Sequence, residues 1–148
     1  MNDIDTIDPP VLLSARNVNH AYGAVRAVNN VSFDLYPGEV LGIVGESGSG
    51  KTTLGKCILK ATEITNGEIL FRDDSENIHN ISSLNKKDLR RLRKEINMIF
   101  QDPFSSLSPR MTVNQIISEP LFMHNYIKKD IQDRVKYLIQ KIWTNYLW

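Results

Sequence analysis

The chain has one cysteine, Cys57, which excludes an internal disulfide framework and any zinc centre built on thiolates and is ordinary for a reducing compartment. Its three histidines, His20, His79 and His124, show no metal-ligand spacing. It lacks any apolar run near the roughly 18 residues that a membrane span needs, and the longest, such as Val40 to Gly45, suit a buried strand instead. The first residues carry Asp3, Asp5 and Asp8 and nothing basic before Arg16, the opposite of a secretory signal. A soluble, cytoplasmic chain is therefore expected. The sequons Asn30-Val31-Ser32 and Asn80-Ile81-Ser82 then carry no weight, because glycosylation needs a secreted chain. A surplus of charge is lacking too: 18 Lys and Arg against 17 Asp and Glu give a net charge of +1. No bulk field attracts nucleic acid or anionic lipid, so any anion must be held by a local site.

What is present, 148 residues of which 41% are hydrophobic, suits one globular domain. Residues 1–10 read as a disordered leader ending in Pro9-Pro10. From Val11 to Leu35 the pattern is strand-like, with a turn near Tyr22-Gly23, and predicts an antiparallel layer. Pro37-Gly38 marks a turn, and Val40-Leu41-Gly42-Ile43-Val44 has the character of a strand buried on both faces. A helix is expected from about Lys51 to Ala61, with Leu54, Ile58 and Ala61 at helical spacing, then a strand over Gly67-Glu68-Ile69-Leu70-Phe71. Residues 73–84 read as a polar loop.

Asn85 with Asp88 three residues on opens a helix to about Lys94, because the Asn side chain accepts from free backbone N–H groups and the acid suits the positive dipole end. Lys86, Lys87, Arg90, Arg91, Arg93 and Lys94 surround a Leu89/Leu92/Ile96 stripe, and a solvated face is the reading preferred over a phosphate or nucleic-acid patch. Asn97-Met98-Ile99-Phe100 is a strand candidate. Thr112 with Gln115 resembles a capping box that opens a short helix ended or kinked by Pro120. A last helix, about Ile127 to Ile142, places Ile127, Ile131, Val135, Leu138 and Ile142 on one face. Cys57 reads as a small apolar packing residue.

Gly45-Glu46-Ser47-Gly48-Ser49-Gly50-Lys51-Thr52 satisfies G-x-x-x-x-G-K-[ST] between an apolar strand candidate and a helix, the Walker A context. The glycines let the backbone curl so that successive N–H groups converge on phosphate oxygens, and the helix N-terminus adds its partial positive charge there. Lys51 is placed to reach the β- and γ-phosphates, and the Thr52 hydroxyl to ligate a bridging Mg2+. The same stretch is a near miss for the nucleophile elbow of serine hydrolases, but the fifth position is Ser49 instead of Gly. Hydrolysis also needs a carboxylate on the metal. The two acids that follow apolar strand candidates, Asp73 and Asp102, are each separated from the strand by a polar residue. A small stand-alone phosphotransferase using Asp73 or Asp102 remains open at this point.

Tyr22 before the loop and Gln101 after a short apolar segment complete an order that resembles the ATP-binding subunits of ABC transporters. Val31-Ser32-Phe33-Asp34-Leu35 with Pro37-Gly38-Glu39, the loop Gly45 to Thr53, Gly67-Glu68-Ile69, and the stretch Phe100 to Val113 look like the dipeptide, oligopeptide and nickel importer branch. The stretch Phe100 to Val113, with its Pro109-Arg110-Met111-Thr112-Val113, is the most specific part, and the likeness covers about residues 11–140. The resemblance implies an α/β fold: a P-loop NTPase core with an antiparallel β layer over 11–100, and an incomplete helical subdomain, with the Q-loop, over 101–148.

By position it implies ATP and Mg2+ as ligands. Tyr22 would stack on adenine; Gly45, Glu46, Ser47, Gly48, Ser49, Gly50, Lys51, Thr52 and Thr53 would hold the phosphates. Thr52 and Gln101 would ligate the metal, with Lys51 and Gln101 in catalytic roles. Partners would be membrane permease subunits, a second ABC ATPase subunit and, indirectly, an extracytoplasmic solute-binding protein. Nucleic acid is not among them, and the place would be the inner face of the plasma membrane.

Three features of the family pattern are missing from the sequence: a Ser-Gly-Gly-Gln signature, an apolar strand ending in Asp-Glu, and a late His. Ile142 to Trp148, with both tryptophans, no longer follows the family pattern. A frameshift or early stop would produce such an ending; the alternative is a short paralogue whose Trp143 and Trp148 pack onto the core. The expectation is a chain that binds ATP with little turnover, and the alternative a nonfunctional truncation whose sheet lacks later strands.

Overall fold

The computed structural model describes residues 10–102, 107–124 and 126–146. Nearly all of the expected leader, the segment Pro103-Phe104-Ser105-Ser106 and the ending Leu147-Trp148 lie outside the described residues, as does the side chain of Trp143. The chain divides into two compact units, 1–97 and 98–148.

The first unit is built on a four-stranded antiparallel sheet in the order β2-β1-β3-β4, from β1 (Leu13–Tyr22), β2 (Val25–Leu35), β3 (Asn66–Arg72) and β4 (Ile78–Asn80). The two-residue period decides the faces of β3. Ile69 and Phe71 enter the main core with Leu13, Ala15, Val18, Val28 and Ile81, whereas Leu70 turns to the other face against Val11. Helix α1 (Lys51–Ile58) delivers Leu54 and Cys57 to the main core, and α2 (Lys86–Leu92) delivers Leu92. Burial pushes the Cys57 thiol up, so it packs as the apolar residue expected and has little thiolate character. Lys60 ties the end of α1 to the segment before α2, its Nζ donating to the carbonyls of Ser82 at 2.9 Å and Leu84 at 2.7 Å.

The register of β1 is broken against both of its neighbours. β1 shifts against β3 between Arg16 and Asn19, and Asn17 there has φ 48°. Gly67 faces that break with φ +99°, and a Cβ on it would lie 2.4 Å from the Asn17 carbonyl oxygen. Only glycine lets the two backbones approach so closely. β1 also shifts against β2: His20 pairs with Val28 but Ala21 with Arg26, so Ala27 is the extra residue of a bulge.

Several expectations are corrected. Val40–Val44 is not a strand: Val40 is 95% and Val44 93% exposed, and no strand pairs with the segment among the described residues. Asn97–Phe100 is likewise irregular, with Ile99 95% exposed. Both patterns are those of strands buried in a parallel sheet, which form only when neighbours supply both hydrogen-bonding edges. Residues 73–84 are not all loop: Asp73–Asn77 turns the chain into β4, and Ile81–Ser83 forms a 3-10 turn capped by the Asn80 side chain. Helix α1 ends at Ile58, three residues short of Ala61, where Lys60 takes φ 49°.

The expected basic side chains of and after α2 are all exposed, and Asn85 caps that helix by accepting from the Lys87 and Asp88 amides. In the second unit, α3 (Val113–Met123) opens with the Thr112/Gln115 capping box and continues through Pro120 by one more turn. Helix α4 (Lys128–Tyr146) packs on α3 and buries Ile131 and Val135; Ile127 and Ile142, expected on the same face, are exposed. No helix of the described residues is long and apolar enough to cross a membrane.

The β3–β4 turn is held by one carboxylate. Asp73 accepts from His79 Nε2 at 2.7 Å, from the Asn77 amide at 2.8 Å and from the Ser75 amide at 2.9 Å. The His79 hydrogen bond first, then these amides, hold the Asp73 carboxyl down at about 2. A carboxyl depressed in the folded state stabilises fully above its unfolded value of about 3.9, and the stabilisation is lost as pH falls toward 2. The urea midpoint of the protein should therefore fall more steeply between about pH 4 and 2 than that of Asp73→Asn; parallel profiles would contradict the role given to this carboxylate.

Candidate functional site

The phosphate-loop motif lies between the irregular Val40–Val44 segment and α1. Gly48 and Gly50 take φ +80° and +93°, left-handed values that side chains rarely adopt. Gly50 is also the point of contact with the sheet. A Cβ there would lie 1.9 Å from the Ala27 carbonyl oxygen, in the bulge of β2, so the loop backbone rests directly on the strand.

Helix α1 begins at Lys51 with no side chain capping its first amides and no acid in its first turn. Left so, the free N–H groups and the positive dipole end point to an anion as their partner. Lys51 Nζ folds over the loop and donates to the carbonyls of Gly45 at 2.8 Å and Glu46 at 2.6 Å, with Ser49 Oγ at 3.3 Å. A cavity of about 420 Å3 opens beside it, lined by Gly45, Ser49, Gly50 and Lys51 from the loop and by Arg26 and Asn29 from β2. Free amides, an ammonium held over the loop and open volume fit a polyphosphate.

The other expected residues are distributed as follows. Thr52 and Thr53 stand in the first turn of α1, Thr52 exposed. Tyr22 ends β1 in the same unit and is 52% exposed. The buried His20 ring meets it edge-on at 4.4 Å, and His20 is itself fixed by Nδ1 donating to the Glu63 carbonyl at 2.7 Å. Gln101 is exposed and belongs to the second unit, as does Asp102. Among the described residues no group of His, Cys, Asp and Glu could hold a metal ion. Asp73, weighed as a metal ligand, has its oxygens committed to the β3–β4 turn. Arg26 has no motif that marks it in the sequence and lines the cavity only because the fold brings β2 beside the loop.

The sequence model of the family described as "ABC transporter" matches residues 28–146. This chain belongs to the ABC transporter family. Among curated ABC relatives it is 46% identical over 125 residues to the oligopeptide transport ATP-binding protein OppF of Bacillus subtilis, spanning 83% of this chain and 40% of that protein. It is 44% identical over 126 residues to the glutathione import ATP-binding protein GsiA of Escherichia coli, spanning 84% of this chain and 19% of that one. The chain thus spans well under half the length of these relatives. Among solved structures it resembles cbiO1 of Clostridium perfringens, part of the ABC transporter complex cbiONQ, with TM-score 0.67 and 27% identity over 88% of this chain and 49% of that one. It also resembles the dimeric bacterial ABC transporter cassette MJ0796, with TM-score 0.67 and 25% identity over 82% of this chain and 53% of that one. The α/β expectation thus holds for an ABC cassette represented in part.

Because the loop rests on Ala27, Gly50→Ala should displace it while leaving the sheet folded. Fluorescence titration with a labelled ATP analogue is expected to show affinity reduced about tenfold or more, with unchanged far-ultraviolet circular dichroism. Undiminished affinity would contradict the contact.

Proposed function

We propose that this chain is a portion of the ATP-binding subunit of an ABC importer for peptides or related small solutes, and that it binds Mg-ATP through residues 45–53. The observation that carries this reading is the uncapped start of α1 beneath a loop whose lysine lines an open cavity. In it the amides of the loop and of the first turn of α1 hold the β- and γ-phosphate oxygens, and Lys51 exchanges its loop carbonyls for them. Each such charge-assisted hydrogen bond is worth about 1.5–3 kcal/mol, so a few suffice in a chain with a net charge of only +1. Tyr22, its ring buttressed by His20, stacks on adenine. By the family pattern the Thr52 hydroxyl and the Gln101 amide oxygen would hold Mg2+, and Gln101 would also respond to the γ-phosphate. Bound Mg2+ supplies neutralisation of phosphate charge.

In the whole transporter the chain would pair with a second ABC ATPase subunit and dock on permease subunits at the inner face of the membrane, the solute-binding protein acting through the permease. The names of the OppF and GsiA relatives support peptides as the solute class. A Ser-Gly-Gly-Gln signature, an Asp-Glu strand end and a late His are not in this sequence, so the chain by itself should turn over slowly.

Equilibrium titration of the purified chain with a fluorescent ATP analogue and Mg2+ should show saturable binding that Lys51→Ala weakens at least about tenfold. Steady-state hydrolysis should stay below about 1 s−1, the low end of ordinary enzymes. Absence of binding would contradict the proposed function. A rate of about 1 s−1 or more that Lys51→Ala abolishes would contradict the low turnover alone.

A further inference from the structure

Lys51 is not the only cation on the cavity beside the loop. Arg26 lines it from β2 and is exposed, and no ion pair or hydrogen bond engages its guanidinium among the described residues. The other β2 charge with a fixed place is paired: Asp34 meets Arg16 at 2.7 Å. Arg26 is also placed by an irregularity of the fold. It precedes the bulge residue Ala27, whose carbonyl oxygen lies against Gly50, and it pairs across the hairpin with Ala21, next to the Tyr22/Val25 pair. A bulge re-aims the side chains around it, and this one sits where the strand meets the loop. Along the hairpin Arg26 therefore lies between the Tyr22/Val25 end and Ala27, which meets the loop.

We propose that Arg26 is a nucleotide-binding residue that pairs with the α-phosphate of the nucleotide held by the loop. This assignment rests on the function proposed above. With adenine at Tyr22 and the β- and γ-phosphates in the loop, the anionic group that falls between them is the α-phosphate. A guanidinium binds phosphate oxygens through a planar fork of donors, and in a chain of nearly neutral charge this second cation adds what the bulk field does not.

The test is competition against a fluorescent ATP analogue, using the whole chain and three probes: ATP, inorganic tripolyphosphate and pyrophosphate. Arg26→Gln is expected to weaken ATP and tripolyphosphate about tenfold and to leave pyrophosphate, which fills the loop alone, unchanged; Arg26→Lys should recover much of the loss. Unchanged ATP affinity in Arg26→Gln would overturn the assignment while leaving the proposed function intact. A loss for ATP but not tripolyphosphate would overturn it in favour of a ribose or base contact. An equal loss for all three would overturn it in favour of a disturbed loop. Failure of the unsubstituted chain to bind any probe would remove the proposed function and this assignment together.

Discussion

The approach of Gly50 to the carbonyl of Ala27 is the contact on which the rest of the site depends. A phosphate loop is a turn with few side chains of its own to bury, so its shape must be imposed from outside. Here it is imposed by backbone on backbone: the bulge in β2 presents a carbonyl, and a residue without a Cβ lets the start of α1 come down onto it. Leu54 and Cys57, in the following turns of the same helix, then reach the sheet core and fix the helix axis. Loop, helix start and cavity are thereby held by the antiparallel layer, whose strands lie within residues 13–80.

The contrast with Val40–Val44 is instructive. This segment feeds directly into the loop and has an apolar sequence, yet it is exposed and unpaired among the described residues, whereas β1 is paired on its two edges by β2 and β3, and β3 by β1 and β4. Apolar side chains alone do not make a strand, because the extended backbone must also satisfy its N–H and C=O groups. The loop is consequently braced from one side, by β2, and this is why a single methyl group at Gly50 should matter so much.

Local chemistry made much of the fold legible. Asn85 and the Thr112/Gln115 pair opened helices where their side chains could cap free amides, and the alternation in Ile69-Leu70-Phe71 decided which face each residue buries. The phosphate-loop motif is legible for the same reason, since it is contained in eight consecutive residues. What depends on distant partners was not legible. The strand pattern of Val40–Val44 presupposes neighbours, and the β3–β4 turn depends on Asp73 meeting His79 across it. Arg26 lines the cavity only because a register shift and a backbone contact bring β2 to the loop. His20 was unreadable for a similar reason, as its value to Tyr22 lies in a ring contact fixed by the Glu63 carbonyl.

The antiparallel layer is expected to fold within this chain and to hold the loop over 45–53 ready for nucleotide without help from a strand at 40–44. Amide hydrogen exchange of the chain, with and without Mg-ATP, tests it most directly. The predicted result is strong protection in β1, β3 and α1, rapid exchange over Val40–Val44, and new protection at Gly48–Thr53 when Mg-ATP is added. Rapid exchange throughout, or unchanged exchange at the loop under saturating Mg-ATP, would contradict it.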